Sequence, residues 1–121
     1  MSIASSKERS GDLYGWAFRV GSTMYECLKK RYDEDGAQKR LKNIILNLRS
    51  ESLPSKFRRE LINAIVEVIG EEREIHIRNE IREERRWSVD EFYRYSTAIL
   101  AGMYNALQAK MKEKKKGEGG D

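Results

Sequence analysis

The sequence predicts an all-α protein, a single-domain bundle of four to five helices. Three observations point there. Proline occurs once in 121 residues, at Pro54. Charged residues make up 36% and apolar residues 39%, which suits a lean core under a highly charged surface. The apolar residues recur at i, i+3, i+4 and i+7 through most of the chain, the period of amphipathic helices. This length holds one hydrophobic core.

Residues 1–11 are polar and expected to be flexible. The helical domain is expected over 12–110, with a Lys/Gly-rich disordered tail over 111–121. From Asp12, Leu13, Trp16, Ala17, Val20, Met24, Cys27 and Leu28 mark the buried face of the first helix. Tyr14, Phe18, Tyr25 and Tyr32 form a second stripe beside it, so this helix is expected to pack on more than one side. Gly21 is a candidate bend, because glycine costs about 1 kcal/mol relative to alanine inside a helix. The stretch DEDG, 33–36, reads as a turn, with Asp35 capping the next helix and Gln38 as its capping-box partner.

The second helix buries Leu41, Ile44, Ile45 and Leu48, with Lys39, Arg40, Lys42 and Arg49 largely off that face. SESLPS, 50–55, interrupts the pattern, and Pro54 suits a first helical turn, where its missing N–H has no partner to lose. The third helix carries Phe57, Leu61, Ala64, Ile65 and Val68, and Gly70 is a natural stop. In residues 71–87 eleven of 17 are charged. Ile77 and Ile81, and Glu74 four residues before Arg78, favour a short polar helix over the alternative of a mobile loop.

The last helix opens at Ser88, with Glu91 three residues on as a capping-box partner. Phe92, Tyr95, Ile99, Met103 and Ala106 fall on one side, and Tyr93, Leu100, Tyr104, Leu107 and Met111 on an adjoining one. Together they cover more than half the circumference, so a central helix with inward-facing tyrosines is expected. Ala98, Gly102 and Ala106 permit close approach of a neighbour, expected to be the first helix.

No catalytic signature is present, and an enzyme is not expected. The chain has one histidine and one cysteine. It can therefore form no internal disulfide and no cysteine zinc site, and no nucleophile–His–acid pattern is apparent around Cys27 or the serines. Cys27 lies among apolar helix positions and reads as a structural thiol. His76, with Glu72 four residues before it, is one short pair where a metal needs three or four ligands. No Walker or Rossmann glycine loop occurs. Neither a cofactor, nor a metal, nor a small-molecule substrate is expected. No apolar run has the roughly 20 residues that span a bilayer, and the N-terminus lacks a signal-peptide pattern. The expectation is a soluble, cytoplasmic protein with no membrane role.

Charge is distributed unevenly. The net charge is +4. Residues 1–60 hold 13 Lys/Arg against 8 Asp/Glu, residues 61–121 hold 11 against 12, and residues 29–59 hold 10 against 4. Three clusters stand out: Lys29, Lys30 and Arg31; Lys39, Arg40 and Lys42; Lys56, Arg58 and Arg59. The first sits at a helix C-terminus, where the helix dipole favours cations. The other two sit near helix N-termini, where it does not, and phosphate is an anion that would reward them. These nine residues are the candidate nucleic-acid contacts, making sequence-independent backbone interactions. The alternative is a helical protein-interaction or oligomerisation module whose charges serve solubility.

The order of landmarks is an aromatic first helix ending in KKR, then LKNIILNL, then LPSKF, and finally FYRYSTAILAGMYNAL. Over roughly residues 13–110 this resembles the small-subunit-like helical region of Cascade-type CRISPR-associated surveillance complexes. That region occurs as a separate small subunit or as the C-terminal part of the large subunit. The resemblance implies a non-catalytic bundle that assembles with copies of itself and with other CRISPR subunits. It further implies that the bundle braces the duplex of crRNA and target DNA and helps hold the displaced strand, while guide pairing reads sequence.

Overall fold

In a computed structural model, which describes residues 3–119 and the side chains of 10–113, the chain forms five α-helices and no strand among the described residues. These are α1 (Ile3–Tyr32), α2 (Glu34–Arg49), α3 (Pro54–Ile69), α4 (Glu74–Glu80) and α5 (Val89–Gly119), with a 3-10 turn at Glu71–Arg73 before α4. Helical backbone extends past both expected domain limits, back to Ile3 and on to Gly119. Once a helix is nucleated each added residue costs little, and at the C-terminal end Lys and Glu are good helix formers that propagate it. The remaining terminal residues, 1–2 and 120–121, lie outside the described residues.

The expected four-residue turn after α1 is a single residue. Asp33, not Asp35, caps α2, and its Oδ1 accepts from Gly36 N at 2.7 Å. Asp33 has φ of 113°, a region that side-chain-bearing residues rarely adopt. The sharp reversal also needs Gly36, where a Cβ would stand 2.7 Å from Tyr32 Cβ. At the other end of α2, the Glu51 carboxylate accepts from Leu53 N at 3.0 Å and pairs with Lys56 Nζ at 3.4 Å. Pro54 then opens α3 and Gly70 closes it, as the sequence predicts.

The most extensive helix pairing is α1 against α5, and the two run parallel. Gly102 faces Tyr14, Ala17 and Phe18; Gly21 faces Met103 and Ala106; Lys110 pairs with Glu26 at 2.7 Å. A Cβ on Gly102 would lie 2.8 Å from Ala17 Cβ and 2.9 Å from Phe18 N, so the glycine sets the interhelical distance. Gly21 serves the same contact from the other helix and is a packing glycine rather than a bend. Asn105 Nδ2 donates to the Tyr14 hydroxyl at 2.6 Å across the same seam.

A parallel α1–α5 pair requires a return crossover after α3, and residues 70–88 supply it. The 3-10 turn and α4 follow the end of α3, and the chain then runs back to the α3 N-terminus. Only Ile77, Ile81 and Trp87 of this segment are buried. Arg58 of α3, itself only 7% exposed, holds it in place. Its Nη1 donates to Arg85 O at 2.7 Å and to Arg82 O at 3.3 Å, and its guanidinium sits 4.8 Å from the Trp87 ring centroid. The short helix expected here is therefore present, and a buried arginine ties it to the bundle.

Ser88 and Glu91 form the expected capping box, with Ser88 N donating to Glu91 Oε1 at 2.9 Å and Glu91 N donating to Ser88 Oγ at 3.1 Å. The Glu91 carboxylate also pairs with Arg85. Its pKa is lowered, chiefly by the backbone hydrogen bond from Ser88. Edge-on ring contacts, Phe57–Phe92 at 5.7 Å and Trp87–Tyr95 at 5.2 Å, join α3, the crossover and α5.

Candidate nucleic-acid interface

The nine candidate cations separate into engaged and free groups. Arg58 is corrected from a surface contact to a core residue. Its position in the second turn of α3 turns it under the crossover, and two backbone carbonyls accept its hydrogen bonds. Desolvation lowers its pKa, against the opposing pull of Glu83 and Glu84. Arg31 reaches across to the end of α3, where its Nη2 donates to Val68 O at 2.9 Å, and so caps a helix that has no basic residue in its own last turn. Lys29 pairs with Glu34 at 3.6 Å, Lys56 pairs with Glu51, and Arg40 stacks 3.6 Å from the Tyr32 ring centroid. Lys30, Lys39, Lys42 and Arg59 have no ion pair among the described residues.

The three clusters do not form one edge. Lys29–Arg31 and Lys39–Lys42 adjoin at the α1–α2 junction. Lys56 and Arg59 lie beyond the far end of α2, a 16-residue helix about 24 Å long. What connects the two ends is a stripe along α2 itself. Lys39, Lys42, Leu46 and Arg49 are spaced i, i+3, i+7 and i+10 and are all exposed. Arg49 was not among the candidates because it stands alone in sequence. Its alignment with Lys39 and Lys42 appears only on the helix surface.

That stripe borders a groove of about 730 Å³ between α2, the 50–52 loop and α5. Ile45, Leu48, Phe57 and Phe92 line its apolar base, Lys42 and Arg49 stand on one rim, and Tyr93 and Tyr104 on the other. The expectation of inward-facing tyrosines holds for Tyr95, which is buried, but not for these two. Tyr93 is 65% and Tyr104 47% exposed. Burial around α5 falls off with angle. Leu107, about 60° from Phe92, is buried, and Leu100, at about 80°, is half-buried. Tyr93 and Tyr104, at about 100–120°, face outward. α1 and α2 cover one side of α5, with Phe57 of α3 against Phe92, and among the described residues no further element covers the adjoining side.

On the first helix, Tyr25 is buried while Tyr14 and Tyr32 are exposed. Cys27 is half-buried at the core margin. His76 is exposed, and the Glu72 carboxylate lies against Gly70. Among the described residues no three metal-ligating side chains cluster, and no helix is long and apolar enough to cross a membrane. No protein-family model, no curated protein and no solved structure matches the chain.

Proposed function

We propose that this protein is a non-catalytic, nucleic-acid-binding helical subunit of an RNA-guided assembly, in line with the resemblance of its helical landmarks to Cascade-type small subunits. The observation that carries the nucleic-acid part is the α2 stripe. Lys39, Lys42 and Arg49 project from one exposed face, and none is neutralised by a carboxylate among the described residues. Cations in that state release counterions on meeting phosphate and bind without regard to sequence. In this reading the partners are crRNA, target DNA, other subunits of the complex and further copies of the chain. Guide pairing supplies specificity, and the protein supports the backbone and the displaced strand.

The test is a salt titration of oligonucleotide binding with wild type and a Lys39→Glu, Lys42→Glu, Arg49→Glu variant. If each of the three residues contacts one phosphate, the slope of log affinity against log salt should fall by about 2 for a single strand. Unchanged binding by the variant would remove the α2 stripe from the interface. The groove's apolar base favours one second reading, a protein-interaction module without a nucleic-acid role. Self-association in the absence of any oligonucleotide binding would support it.

A further inference from the structure

We infer that the α2–α5 groove is a stacking channel for unpaired nucleotides, so that the protein prefers single-stranded nucleic acid to duplex; this rests on the nucleic-acid reading above and specifies its ligand. Tyr93 and Tyr104 are eleven residues apart on α5. Eleven steps of about 100° bring the helix back to within about 20°, so both rings stand on one line about 16 Å apart. Thr97 and the half-buried Leu100 lie between them on the same line. Across the groove Lys42 and Arg49, seven residues apart on α2, share a face about 10 Å long. Among the described residues the sole carboxylate at the groove is Glu51, and Leu53 N and Lys56 already engage it.

One rim thus offers flat aromatic faces and the other offers unneutralised cations along a common track. The ligand that matches is a chain with a planar apolar group on one side and a repeating negative charge on the other. Single-stranded nucleic acid has that form, and aromatic side chains bind its bases without sequence preference. A duplex buries its base faces in its own stack and can use only the cationic rim. A protein helix seated here would have to present acidic residues to Lys42 and Arg49.

The experiment is fluorescence anisotropy with labelled oligo(dT) and a duplex of equal length, using wild type, Tyr93→Ala, Tyr104→Ala and the corresponding phenylalanine variants. Both tyrosines are exposed, and circular dichroism checks that the variants remain folded. Each alanine variant is expected to bind oligo(dT) about 10-fold more weakly, with duplex affinity and salt slope unchanged and with phenylalanine restoring the loss. If both alanine variants bind oligo(dT) like wild type while the α2 charge reversals weaken it, the channel is wrong and the nucleic-acid reading stands. If wild type binds neither form at low salt, both fall. If the alanine substitutions instead abolish self-association seen by sedimentation and leave oligo(dT) affinity intact, the groove is a contact between copies and the inference is overturned.

Discussion

Replacing Arg58 tests whether one buried cation holds the crossover in place. The bond to Arg85 O at 2.7 Å is well formed, and a hydrogen bond from a charged group contributes about 1.5–3 kcal/mol. The bond to Arg82 O at 3.3 Å is longer and adds less. The stack on Trp87 is largely shielded from solvent and adds about 1–2 kcal/mol. Two effects oppose these gains. The guanidinium is desolvated, and its Nε has no hydrogen-bond partner among the described residues. Arg58→Ala is therefore expected to lose about 3 kcal/mol, including the packing of the side-chain stem. Arg58→Met, which keeps an apolar stem, should lose about 2 kcal/mol. In urea, with a slope of about 2 kcal/mol/M, the unfolding midpoint should fall by about 1.5 M for the alanine variant. Trp87 fluorescence should shift with the loosened loop. A midpoint within about 0.2 M of wild type would refute the clamp. A structural role also requires that Arg58→Met leave the salt slope of oligonucleotide binding unchanged. A reduced slope would return Arg58 to the phosphate-binding set.

Further expectations follow from α5. Gly102→Ala places a methyl group against the α1 backbone. It should cost about 2 kcal/mol by thermal or urea unfolding despite the better helix propensity, whereas Gly21→Ala, whose Cβ would sit 3.0 Å from Ala106 Cβ, should cost less. Glu91 has a folded pKa below its ordinary value of 4.5. Its contribution is therefore fully present above that value and is lost as pH falls through the lowered folded value. Glu91→Gln should destabilise at neutral pH and flatten the acid limb of the stability curve, and an unchanged limb would show that the carboxylate contributes nothing there.

Much of the helix layout is legible in sequence because it depends on local chemistry. Pro54 at a first turn, Gly70 as a stop and the Ser88–Glu91 box each act within a few residues. The inward stripe Phe92, Tyr95, Ile99, Met103 and Ala106 follows from the helical period alone. Sequence alone does not separate Asp33 from Asp35 as the α2 cap, because both are aspartates in the same acidic stretch. Choosing between them depends on the Asp33 backbone and the close fit of Gly36 against Tyr32. The candidate interface is harder to read. A helical wheel gives the angle of a residue but not which angles a neighbour covers, so Tyr93 and Tyr104 could not be separated from Tyr95. The basic clusters are adjacent along the chain, yet Arg58 and Arg31 turn inward to carbonyls while Arg49, isolated in sequence, joins Lys42 on the groove rim.

The sequence by itself therefore determined an all-α bundle and where most of its helices begin and end, since these depend on composition and short-range periodicity. Only the tertiary structure decided which cations are spent on the protein's own backbone and which remain free. It also decided that one side of α5 stays open beside the α2 stripe. Both depend on contacts between residues far apart in the chain, such as Arg58 with Arg85 and Arg31 with Val68, and local pattern carries no record of those distances.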